Sequence, residues 1–138
     1  MKTFRQKTIL IVEDEALLRI AVADMLEDAG YAVLEASTVL EAIGRLGQYE
    51  EIDLVITDVD MPGGLTGIDL ARMLAECAPK IGIIVSSARR PADLADLPPT
   101  AHSLPKPFMP LSLLSAVGKV LATKAAEMQN STVSRRMA

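Results

Sequence analysis

Short apolar runs alternate with longer stretches of helical spacing, and this alternation restricts the fold more than any other feature. Thr8-Ile9-Leu10-Ile11-Val12, Tyr31-Ala32-Val33-Leu34-Glu35, Ile52-Asp53-Leu54-Val55-Ile56-Thr57 and Ile81-Gly82-Ile83-Ile84-Val85-Ser86-Ser87 each read as a strand, and Ala101–Pro105 as a short fifth. Continuous β-branched runs suit strands buried on both faces. Between them, residues 15–29 place Leu18, Val22, Met25 and Ala29 on one side, and Gly30 stands where a helix ends. Ser37 or Thr38 can cap a helix running to about Gln48, with Glu41 in its first turn. Thr66 to Ala78 carries Ile68, Ala71, Leu74 or Ala75, and Ala78 on one stripe, and Pro79 stops it. Pro91, Pro98 and Pro99 leave room only for a two-turn helix near Ala92–Leu97. A last helix from Leu111 to about Glu127 presents Leu114, Val117 and Leu121. Buried runs joined by helices predict an α/β fold, a (βα)5 parallel sheet covered on both faces with right-handed crossovers.

The 138 residues suit one domain, expected over residues 7–125. Residues 126–138 are expected to form a flexible C-terminal tail, too short for a DNA-binding domain. The opening Met1 and the untagged end suggest a natural unit. Half the residues are apolar but only 3% are aromatic, so the core is aliphatic. A net charge of −4 with few rings argues against a nucleic-acid surface. The one cysteine, Cys77, excludes a disulfide framework and a cysteine zinc site, and reads as a small buried hydrophobe. Met1–Lys7 is polar, and the first apolar run stops at Glu13, too short for a signal peptide or a membrane span. A cytoplasmic, soluble protein with no membrane contact is expected.

Ligands of parallel α/β sheets bind beyond the carboxyl ends of the strands. The first strand ends in Glu13-Asp14, the third in Asp58 and the fourth in Ser86-Ser87, while Lys106-Pro107-Phe108 follows the fifth. Two carboxylates ~5 Å apart repel by roughly 3 kcal/mol at an effective dielectric of 20. Three together raise one another's pKa unless a cation sits among them. Hard oxygen donors favour Mg²⁺, and a lysine with a hydroxyl completes a site for a phosphoryl oxyanion. An aspartate can itself form an acyl phosphate. The residues therefore point to Mg²⁺-assisted phosphoryl transfer to Asp58. Each signal alone is weak: an acidic pair also complements a helix N-terminus, a lysine before proline is usually solvated, and Ser87 can bond its own backbone. Their coincidence at four strand ends carries the argument.

In combination, Ile9-Leu10-Ile11-Val12-Glu13-Asp14-Glu15, Asp58-Val59-Asp60-Met61-Pro62, Ser87-Ala88 and Lys106-Pro107-Phe108 resemble the receiver domain of bacterial two-component response regulators, including the chemotaxis type, over about residues 7–122. The resemblance implies a flavodoxin-like sheet of order 2-1-3-4-5. It implies that Asp58 is phosphorylated and that Glu13 (through water), Asp14, Asp58 and the Asp60 backbone carbonyl hold Mg²⁺. Ser87 would bond a phosphoryl oxygen and Lys106 would pair with another. Ser87 is preferred to Ser86 because side chains alternate along a strand and the family places a small residue after the active hydroxyl. A sensor histidine kinase or histidine phosphotransferase would be the donor. Output would pass by contact to a downstream protein of unknown identity, and the chain itself would be no enzyme.

The sequence also departs from the family. Ser103 stands where the family often carries a switch tyrosine or phenylalanine, three residues before its lysine, and the fourth helix is reduced. Gly63-Gly64 lengthens the loop after Asp58, either for backbone approach to a ligand or as a plain turn. Asp60 and Arg89 could tune the acyl phosphate or form a plain surface ion pair. His102 reads as a partly exposed strand-edge residue. Two other functions compete: a receiver-like binding module that is not phosphorylated, and a phosphatase, since Asp58-Val59-Asp60 is similar to the paired aspartates of haloacid-dehalogenase-type enzymes. In that family the pair usually follows the first core strand, whereas here it follows the third and a Pro-Gly-Gly turn comes next; no P-loop and no Gly-x-Gly-x-x-Gly follows the first strand, which disfavours nucleotide use.

Overall fold

The computed structural model describes residues 5–49 and 51–137, without the side chains of residues 91–92 and 131–137. The Met1–Phe4 part of the polar N-terminus lies outside the described residues. In chain order the elements are β1 (Thr8–Val12), α1 (Ala16–Asp28), β2 (Ala32–Ala36), α2 (Val39–Gln48), β3 (Ile52–Asp58), α3 (Gly67–Cys77), β4 (Gly82–Ser87), a 3₁₀ turn (Pro91–Leu94), β5 (His102–Pro105) and α4 (Pro110–Met137). The five strands are parallel, in the order β2-β1-β3-β4-β5. This is the flavodoxin-like α/β sheet expected from the alternation.

The sheet divides two apolar layers, because alternate residues of a strand face opposite sides. Leu10, Val12, Val55, Ile83 and Val85 pack with Val39 and Ala42 of α2 and Leu70, Ala71 and Leu74 of α3. Ile9, Ile11, Leu54, Ile56 and Ile84 pack with Val22, Ala23 and Leu26 of α1 and Leu113, Ala116 and Val117 of α4. The stripes of α1 and α4 are rotated from the expected ones: Leu18, Met25, Leu114 and Leu121 are only half-buried, and Ala29 is exposed. A helix lying on a sheet buries a stripe over 100° wide, so neighbouring i, i+3, i+4 series compete for its centre.

The helix ends follow their signals. Thr38 accepts from the Glu41 N–H at the start of α2, and Thr66 forms a reciprocal capping box with Asp69 at the start of α3. After α1, the Gly30 N–H reaches the Glu27 carbonyl and the Tyr31 N–H the Leu26 carbonyl, which closes the helix with a Schellman motif.

Three expectations need correction. Cys77 is exposed, not buried; it is the last residue of α3, and the buried stripe ends one turn earlier at Leu74. The two-turn helix near Ala92–Leu97 is a single 3₁₀ turn, with Leu94 in the core and Pro98 and Pro99 blocking extension. The last helix does not give way to a tail near Glu127 but runs to Met137. No Gly or Pro occurs from Lys119 onward, so no residue type stops it. Among the described residues no helix is long and apolar enough to cross a membrane.

Candidate functional site

Every strand of this parallel sheet delivers its carboxyl end to the same edge, and β1, β3 and β4 are adjacent there. Glu13 and Asp14 follow β1, Asp58 closes β3, and Lys106 follows β5. One carboxylate oxygen from each of Glu13, Asp14 and Asp58 lies within 4.8 Å of the other two. Lys106 Nζ stands 3.2 Å from Asp58 Oδ2 and 3.5 Å from Glu13 Oε2. Asp14 is exposed and Asp58 half-buried, while Glu13 is only 6% exposed.

Burial pushes the Glu13 carboxyl above the usual glutamate range; Lys106 opposes this, and Asp58 and Asp14 add to it. Burial pulls the Lys106 ammonium down, but the Asp58 and Glu13 carboxylates outweigh it, and the group lies above the ordinary lysine range. The cluster thus carries three acids and one cation, an excess of negative charge that a divalent ion would relieve. The three carboxylates are the hard oxygen donors that Mg²⁺ takes, so the donor set fits that ion.

Backbone contacts hold these groups in place. Glu13 N–H donates to the Ala36 carbonyl, Val59 N–H to the Ser86 carbonyl and Lys106 N–H to the Ser87 carbonyl, so the loops are tied strand to strand. Asp60 N–H reaches Asp58 Oδ1 at 3.4 Å, and Glu15 N–H reaches Glu13 Oε1 at 3.3 Å. Gly67 opens α3 against the loop after β3: its N–H bonds the Val59 carbonyl, and a Cβ there would lie 2.0 Å from the Asp58 carbonyl oxygen. Only glycine lets α3 approach the Asp58 backbone this closely. At Gly63 the backbone has φ +95°, a left-handed conformation that favours glycine.

One residue beside the site escaped the sequence reading, and another was set aside by it. Arg19 on α1 donates from Nη1 to the Glu13 carbonyl at 2.9 Å and from Nε to Glu35 Oε1 at 3.0 Å, pinning the acidic loop to the end of β2. The only signal in the sequence is a basic residue five positions after Asp14. Ser86, passed over in favour of Ser87, is the other. It is the register partner of Asp58, so the two side chains share a face of the sheet. Ser87, on the opposite face, is buried, and its Oγ accepts from the Arg89 N–H at 2.9 Å. Arg89 also pairs with Asp60, which raises its guanidinium further. Ser103 is exposed on β5, and half-buried His102 lies beside it on the edge strand.

An order 2-1-3-4-5 sheet with an acidic triad and a lysine at its carboxyl edge defines a receiver-type α/β domain. A family model described as the response regulator receiver domain matches residues 9–117, and the chain belongs to that family, a regulatory domain of two-component signalling. It is 35% identical over 118 residues to the response regulator receiver protein CpdR of Brucella abortus, covering 83% of this chain and 97% of that protein. It is 36% identical over 118 residues to the sensor kinase CckA of the same organism, covering 83% of this chain but 12% of CckA. The chain spans about half the length of several other curated relatives, 55% and 52% in two cases. The crystal structure of a response regulator receiver protein from Sinorhizobium medicae superimposes with a TM-score of 0.81 at 31% identity, covering 88% of this chain and 99% of that one.

Proposed function

We propose that this receiver accepts a phosphoryl group on Asp58 from a phosphohistidine donor, a sensor histidine kinase or a histidine phosphotransferase, and passes the signal on by contact with a downstream protein. The observation that carries the reading is the convergence of Glu13, Asp14 and Asp58 oxygens within 4.8 Å, with Lys106 Nζ 3.2 Å from Asp58. An Asp58 carboxylate oxygen forms a bond to phosphorus as the phosphorus–nitrogen bond of the donor imidazole breaks, and that nitrogen takes up a proton. Glu13, Asp14, Asp58 and the Asp60 carbonyl would hold Mg²⁺, which when bound offsets the negative charge of acids and phosphoryl group. Lys106 exchanges its carboxylate contact for a phosphoryl oxygen, and the Ser87 hydroxyl donates to another. Asp60 and Arg89, paired at the mouth of the site, limit the access of water to the acyl phosphate and so tune its lifetime.

Incubation with Mg²⁺ and acetyl phosphate should add one phosphoryl mass to the protein and none to Asp58→Asn. An unmodified wild type, or an equally modified variant, would sink the reading. The second reading, a receiver-like module that binds a partner without phosphorylation, is favoured by exposed Ser103 and the single 3₁₀ turn before β5. Calorimetric Mg²⁺ titration separates the two, because an inert module gives no heat that depends on Asp14 and Asp58.

A further inference from the structure

Beneath the carboxylates the fold leaves a hydroxyl without a partner. Ser86 is 4% exposed, and its Oγ is buried with no hydrogen-bond partner among the described residues. A buried polar group left in this way is rare in a folded protein and calls for a ligand or a water. Ser86 follows Ile84 onto the face that packs α1 and α4, so it sits on the same side of the sheet as Asp58. There it lines a cavity of about 20 Å³ together with Glu13, Asp58 and Lys106, while Ile56 and Phe108 supply apolar walls. A single water needs roughly 10–15 Å³ of such space and two to four polar partners. The space suffices for one water, and Ser86 and Lys106 border it as polar partners within a mostly apolar lining.

Lys106 supplies the second half of the argument. Its ammonium has three N–H donors. It forms ion pairs with Asp58 Oδ2 at 3.2 Å and Glu13 Oε2 at 3.5 Å. Lys106 and the unpartnered Ser86 hydroxyl border the same cavity.

We propose that this cavity holds one buried water that bridges the Ser86 hydroxyl and the Lys106 ammonium, which makes Ser86 a positioning residue for the lysine. The water accepts an N–H of the ammonium and gives it a neutral partner besides the two carboxylates. A water exchanges partners more easily than a carboxylate, so the lysine stays free to turn toward an incoming phosphoryl oxygen. An apolar side chain at position 86 dries the cavity and leaves Lys106 held by the carboxylates alone.

The kinetic arm of the test rests on the phosphoacceptor reading, and the structural arm does not. Ser86→Thr and Ser86→Val have nearly equal volume and differ by a hydroxyl; Ser86→Ala removes the hydroxyl without adding volume. A high-resolution crystal structure of the wild-type chain should show one water within hydrogen-bond distance of Ser86 Oγ and Lys106 Nζ. In ¹⁵N spectra of the lysine ammonium groups, the Lys106 resonance should move in the Val and Ala variants and stay close to wild type in Thr. Phosphorylation by acetyl phosphate should be slower in Val and Ala than in Thr by roughly three- to tenfold, the weight of one lost hydrogen bond. A dry cavity in the wild type, or the same Lys106 resonance and rate in Thr and Val, overturns the proposal. If the wild type takes up no phosphoryl group, the phosphoacceptor reading fails, and density and the Lys106 resonance still decide the water.

Discussion

Neutralising Glu13 should make the protein more stable, even though Glu13 touches the lysine. In Glu13→Gln the shape is kept and the charge removed. Glu13 and Asp58 oxygens lie within 4.8 Å, a repulsion of about 3–4 kcal/mol at an effective dielectric near 20. Lys106 at 3.5 Å attracts Glu13 by about 5 kcal/mol on the same footing. Asp14 adds a second repulsion, weakened by its exposure to solvent. The charge–charge contributions therefore nearly cancel, and the burial of a carboxylate that is 6% exposed is left uncompensated. The glutamine keeps the acceptor for the Glu15 N–H, and Lys106 keeps Asp58. The expected gain is about 1–2 kcal/mol at neutral pH without divalent cations, or roughly 3–8 °C in melting temperature for a domain of this size.

The pH dependence has a definite sign. The folded-state pKa of Glu13 lies above the unfolded one, chiefly through burial. The folded protein therefore binds the proton more tightly, and the contribution of Glu13 is most favourable below the usual glutamate range. It is lost as pH rises from that range through the raised value. Wild type and variant should melt close together in acid and separate by neutrality. Scanning calorimetry in a chelating buffer over this range measures the gap. Mg²⁺ should then narrow or reverse it, since saturation a hundredfold above Kd adds about 3 kcal/mol to the protein with the intact donor set. A variant that melts at or below wild type in chelator at neutral pH, or a gap that does not change with pH, refutes the reasoning.

Arg19→Ala frees the Glu13 carbonyl and Glu35 together; Mg²⁺ affinity by calorimetry should fall roughly three- to tenfold, the effect of losing one charge-assisted hydrogen bond, and Arg19→Lys should restore it only in part. Thr66→Ala removes the capping box of α3 and should cost about 1 kcal/mol in denaturant unfolding, with Mg²⁺ binding nearly intact. Gly67→Ala forces a Cβ against the Asp58 carbonyl; it should cost about 3 kcal/mol or more and, unlike Thr66→Ala, should also weaken Mg²⁺ binding, because Asp58 must shift.

What could be read from the sequence follows from how locally each feature is encoded. The strands were legible because burial on both faces leaves continuous runs such as Ile9–Val12 and Ile83–Val85, and their ends then located Glu13, Asp14, Asp58 and Lys106 at one edge. Helix limits were legible where a cap or a breaker marked them, as at Thr38, Thr66 and Pro79. They were not where the argument rested on missing periodicity: residues 128–137 have no clear stripe, yet nothing in them stops α4. The burial of Cys77 failed for a related reason, since residue type says little about which turn of a helix overhangs its support.

The acidic triad and Ser86 differ in the kind of information they carry. Charges clustered at strand ends announce themselves, because such groups are costly to bring together without a purpose. A serine in the run Ile84-Val85-Ser86-Ser87 does not, because a strand end tolerates small polar residues. Which of the two hydroxyls faces Asp58 depends on the register between β3 and β4, and a slip of one residue would exchange their faces. That register pairs Asp58 with Ser86. By alternation only one of the two can face each layer. Ser87 accepts from the Arg89 N–H in the loop after β4, while Ser86 borders the cavity that Lys106 also lines, with its hydroxyl unpartnered. Adjacent serines therefore divide two tasks between opposite faces of one strand. One bonds the loop that carries Arg89, and the other borders the cavity it shares with Asp58 and Lys106.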